Sequence, residues 1–129
     1  GDIMKDFYPE VDDKKEFIAA AGWSTLSSLV AIKPDNELDI PSLKALLKRV
    51  ETNIHQADNR VRSKMNGFLI AVGSYVVALS DQAIATAKKI GEVKVNVDGT
   101  ACKVPSAVDY IMKVKAKNGL GKKKKMARC

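Results

Sequence analysis

The chain has 129 residues, 46% of them apolar, enough for one domain with a real core and too few for two. Its net charge of +7 is all C-terminal: from Cys102 onward nine Lys or Arg face one acid, whereas residues 1–101 carry thirteen against fourteen. The body is therefore near neutral, and overall basicity by itself does not make it a nucleic-acid binder.

In chain order, Phe7-Tyr8-Pro9 reads as a short helix cut off by proline, its aromatics covering an end of the core. Asp12 and Asp13 start the first long helix, which Phe17, Ala20, Trp23, Leu26, Leu29 and Val30 carry to about Ile32. Its small run Ala19-Ala20-Ala21-Gly22 invites close approach by another helix. Lys33-Pro34-Asp35-Asn36 forces a loop, and Asp39 caps a second helix with Pro41 in its first turn and a buried stripe of Leu43, Leu46, Leu47, Val50 and Ile54.

Asp58 is the expected N-cap of a central helix running to about Leu79, with Met65, Phe68, Leu69, Val72, Val76 and Leu79 as its buried face. Ser80 then caps a short helix over Asp81–Ile90, ended by Gly91. Alternating Val93, Val95 and Val97 with an Asp98-Gly99 turn predict a small hairpin or extended flap within 92–104. Pro105 opens a last helix, Ser106 to Lys117, whose core contacts are Val108, Ile111, Met112 and Val114. The body is a single helical domain over 1–119, followed by a basic, disordered tail over 120–129 that includes Lys122, Lys123, Lys124 and Lys125. The first and third helices begin at caps 46 residues apart, each followed by a shorter partner. That is the HEAT or armadillo period, and an ordinary small helical bundle is the alternative.

The central helix concentrates the candidate binding residues. At 100° per residue, Arg60 and Lys64 lie on one flank of its apolar arc, and Arg62, Asn66 and Asn59 on the other. A basic helix start is unfavourable to the helix dipole, which hints at an anion. Arg60, Arg62, Lys64 and Asn66 are thus candidate phosphate contacts, and the alternative is a solvated helix start. Trp23 either stacks on a base or belongs to the core.

His55 is the only histidine and has no second ligand-type residue near it in sequence, so no metal site is expected. Cys102 beside Lys103 reads as a structural thiol rather than a nucleophile. No glycine-rich phosphate loop follows a strand, and no cofactor is expected. The two distant cysteines form no disulfide framework, which favours a reducing, cytoplasmic setting. The acidic first residues are no secretory signal, and the longest uncharged apolar run, Gly67 to Leu79, falls short of the roughly 20 residues that span a bilayer, so no membrane partner is expected. Gly1, with no initiator Met before it, implies a natural chain that begins earlier.

The segments Ala21-Gly22-Trp23, Ile54 to Arg62, Met65 to Gly73, Ile90 to Val95, Thr100 to Pro105 and Gly121 to Lys124 resemble the HEAT-like DNA alkylation repair family, which includes glycosylases that excise cationic alkylated purines. The resemblance runs from about Asp12 to Lys125 and covers the C-terminal half of a family member. It implies an all-α, HEAT-like helical repeat, an α-α superhelix, that contacts the backbone of double-stranded DNA. In the family's glycosylases the catalytic carboxylate and an accompanying tryptophan come from an earlier repeat, so no catalytic residue is assigned here. Where active members carry an arginine shortly before the Ala-Gly-Trp stretch, this chain has Ala20. The expected function is that of the C-terminal portion of an alkylation-repair-like protein, with excision possible only in the full-length protein. The alternative is a noncatalytic helical-repeat module binding DNA or a protein partner.

Overall fold

The computed structural model describes residues 16–97, 100–103, 106–117 and 119–121. The expected helix start at Asp12, the Phe7-Tyr8-Pro9 segment, the Asp98-Gly99 turn, Pro105 and the run Lys122–Lys125 lie outside these residues. In order, the elements are α1 (Glu16–Ile32), a 3-10 turn (Asp35–Glu37), α2 (Ile40–Asn53), a 3-10 turn (Ile54–Gln56), α3 (Asn59–Tyr75), α4 (Val77–Ile90), β1 (Lys94–Val97), β2 (Thr100–Lys103) and α5 (Ala107–Ala116).

Local chemistry sets most of these boundaries. The Asp39 carboxylate accepts the Ser42 backbone N–H at 3.2 Å and the Ser42 hydroxyl at 2.8 Å, which satisfies a donor that α2 would otherwise leave orphaned. Gly91 ends α4 at φ +68°, a backbone region open to glycine, with its N–H on the Ala87 carbonyl. The hairpin forms within the expected segment, β1 pairing antiparallel with β2 from Lys94 opposite Lys103 to Val97 opposite Thr100.

One boundary differs from expectation. The central helix stops at Tyr75, because Val76 is extended (φ −114°, ψ 97°) and α4 begins at Val77. Ser80, expected to cap the fourth helix, is therefore inside it and buried. The apolar spacing hides this break: Val72, Val76 and Leu79 are all fully buried and read as one helical face, although the chain turns between them. β-branched Val76 suits this extended elbow better than it would suit a helix interior. Asp58 holds the N-cap position of α3 but makes no side-chain capping bond.

Helices stack by alternate order. α1 packs most extensively on α3, and α2 packs on α4, as equivalent helices of successive repeats do. Trp23 and Phe68 join α1 to α3 edge to face, with ring centroids 5.1 Å apart, inside a core that includes Leu26, Leu43, Leu47, Leu69 and Leu79. The buried run Ala19, Ala20 and Gly22 lies on the α1 side of this contact. α5 then crosses α3 and α4, inserting Ile111 where Gly73 leaves room: a Cβ at Gly73 would overlap the Ile111 side chain and stand 3.1 Å from the Ala83 Cβ. Met112, expected in the core, is instead 47% exposed, because α5 buries only Ala107 and Ile111 fully.

Candidate nucleic-acid interface

The first turns of α3 hold the residues of interest, and the fold separates them. Arg62 is committed to the protein. Its Nε donates to the Ile54 carbonyl (3.1 Å), Nη1 to Lys94 (2.8 Å), and Nη2 to both His55 (3.2 Å) and Ala57 (2.9 Å). One guanidinium thus fastens the turn after α2 to β1, using the fork of donors that only arginine offers. Beside it, His55 Nε2 lies 2.6 Å from the Ile90 carbonyl; that oxygen can only accept, so Nε2 carries the proton. Together the two side chains close the seam between the α2–α3 turn and the α4–β1 connection.

One cation of the basic helix start thus has partners within the protein. Carbonyl dipoles from the preceding turn and from β1 receive the Arg62 charge, so that cation needs no external anion. Asn66 is 3% exposed and forms part of the wall of a groove. Trp23 is fully buried against Phe68, which settles the choice between base and core in favour of core. Ala20 is buried too, so position 20 faces the interior.

What remains outward on α3 is the other flank. Arg60 and Lys64 are both exposed, one turn apart, in a helix with no acid in its first turn. On the Asn66 side of α3, a groove of about 440 Å³ is bounded by Asn66, Lys88, Gly91, Glu92, Ser106 and Asp109, among others, where α3, the end of α4 and the start of α5 converge. Among the described residues no group of three or more His, Cys, Asp or Glu side chains is placed to hold a metal, and no helix is long and apolar enough to cross a membrane.

Comparison with known proteins places this geometry. A solved structure from a new family of proteins related to the HEAT-like repeat DNA glycosylases, with affinity for branched DNA structures, matches with a TM-score of 0.90 and 29% sequence identity over 98% of this chain. The fold is a HEAT-like helical repeat. Uncharacterized proteins of Listeria innocua and Listeria monocytogenes are 34% and 33% identical over 105 residues, 81% of this chain. No family-level sequence profile matches. The chain spans 44% of each of those Listeria relatives and 54% of the solved chain, so it corresponds to about half of such a protein.

No local pattern announces the role of Arg62, since its partners lie up to 32 residues away. Tyr110 and Lys113 on α5, and Lys117 at its C-cap, are exposed as well; their signal is an aromatic and two cations at helical spacing, masked by the expectation that Met112 and its neighbours face the core.

Proposed function

We propose that this chain is a DNA-binding portion of a HEAT-like repeat protein, in which Arg60 and Lys64 contact phosphates of double-stranded DNA. The observation that carries the reading is the likeness across nearly the whole chain to a helical-repeat protein whose family has affinity for branched DNA structures. The exposed pair at the start of α3 supplies the chemistry: two cations on one flank, one helical turn apart, suit nearby phosphates of one strand and act by counterion release. The basic run Lys122 to Lys125 adds sequence-independent attraction.

Excision of cationic alkylated purines belongs, in this reading, to a longer protein. Such a base is already a good leaving group, so the protein has only to stabilise the developing sugar cation with a carboxylate. That carboxylate would come from a repeat other than those described here, and the chain as given binds DNA without releasing a base. A noncatalytic module serving only as a DNA clamp is the second reading, favoured by the likeness to a family described by its affinity for branched DNA rather than by an activity.

One experiment tests both parts. Binding of the Arg60→Ala/Lys64→Ala variant and the parent chain is measured over a salt series, on duplexes with and without N7-methylguanine. Loss of two phosphate contacts lowers the magnitude of the salt slope by about 1.8. An unchanged slope moves the interface elsewhere, and release of the methylated base above the spontaneous rate would place a catalytic group within this chain.

A further inference from the structure

We propose that the outward face of α5 is a second nucleic-acid contact, in which Tyr110 stacks on an unpaired base while Lys113 and Lys117 hold the phosphates beside it. The proposal rests on the DNA-binding reading above and names a feature of the DNA that the α3 cations cannot read, an unstacked base.

The orientation of α5 is fixed by its other side. Ala107 and Ile111 are buried, and Ile111 fills the space that Gly73 leaves on α3. Ser106 caps the helix through the Asp109 N–H, and Gly119 closes its far end with its N–H on the Val114 carbonyl at 2.8 Å. With that face inward, 100° steps put Tyr110, Lys113 and Lys117 within about 60° of one another on the outer surface. All three are exposed.

The composition of this face is unlike a merely solvated one. Tyr110, 48% exposed, is one of four exposed large apolar side chains among the described residues; Met112, also exposed, lies about 160° away around the helix and is not part of this face. The tyrosine ring contributes little to the core yet stands in line with two cations. The Asp81 carboxylate is 4.0 Å from Lys115, and Lys89 pairs with Glu51 at 3.5 Å. Along the helix axis the two lysines are about 6 Å apart at 1.5 Å per residue, on the order of two base steps of a nucleic-acid strand. An aromatic platform beside phosphate-spaced cations is how proteins hold single-stranded segments without reading sequence. An acidic protein surface would also use a tyrosine beside two lysines, so the choice of nucleic acid rests on the DNA-binding reading above.

The test compares the full chain with Tyr110→Ala, Tyr110→Phe and Lys113→Ala/Lys117→Ala by fluorescence anisotropy, on an intact duplex and on the same duplex with a short single-stranded gap. Thermal melts establish that each variant is folded. Tyr110→Ala should weaken binding to the gapped DNA roughly five- to tenfold and leave the intact duplex nearly unchanged, whereas Tyr110→Phe keeps the ring and the affinity. The double lysine variant should weaken both. Equal binding of Tyr110→Ala and the parent chain to gapped DNA overturns the proposal, as does a loss confined to the lysine variant, which would make α5 a plain polyanion contact. If the parent chain binds neither DNA, the DNA-binding reading itself falls with it.

Discussion

Arg62 shows how one side chain decides what a local segment can be used for. Four of its N–H donors are spent on backbone carbonyls from the turn after α2, from the linker before α3 and from β1. Lysine carries the same charge but has a single nitrogen and no planar fork, so it cannot span these acceptors. Arg62→Ala leaves partly buried carbonyls unpaired, and a loss of about 2 kcal/mol or more in folding stability is expected, with Arg62→Lys recovering only part of it. Chemical denaturation of the three proteins checks this; equal midpoints for parent and Arg62→Ala would mean that water replaces the guanidinium without cost. The same substitution should leave the salt slope of DNA binding nearly unchanged, which separates Arg62 from Arg60 and Lys64. Nothing in the local sequence distinguishes these three basic residues, because the difference lies in where β1 returns in space.

At the level of elements, the features set by short-range chemistry were legible and those set by packing were not. Asp39 with Pro41 two residues on, Gly91 after the last lysines of α4, and the valine alternation before Asp98-Gly99 each determine their element through neighbouring residues. The break at Val76 escapes such reasoning, because the buried face continues in register through the elbow and periodicity reports burial rather than continuity. Gly73 is similar: its necessity appears only when α5 is seen to lay Ile111 on it. Gly73→Ala should cost about 1–3 kcal/mol through overpacking, although alanine is the better helix former. Pairing it with Ile111→Val, which shortens the opposing side chain, should return part of that loss in a double-mutant cycle. Purely additive effects would show that the two positions do not meet.

At the scale of the whole fold, stacked helices bury their faces only against neighbours, so the side of α3 and α4 that α1 and α2 do not cover needs another element. Here α5 lies across α3 and α4, and the chain beyond it does not leave at once. Leu120 is half-buried, and Gly121, at φ +78°, donates its N–H to the Ser74 carbonyl at 2.9 Å, just before the Val76 elbow. A Cβ at Gly121 would come 2.6 Å from Val77 Cγ2, so the strap lies close against the first residue of α4. The first two residues of the expected tail therefore belong to the folded body. A chain ending at Gly121 should be more stable than one ending at Gly119 by about 1 kcal/mol, the net worth of one backbone hydrogen bond and a partly buried leucine after the cost of ordering them. Denaturant midpoints of the two truncated chains, compared at equal slope, measure the difference. If the midpoints coincide, residues 120 and 121 only rest on the elbow, and the body ends at Gly119; if the longer chain is the more stable, the strap fastens α5 over the α3–α4 turn and so helps hold Tyr110, Lys113 and Lys117 outward.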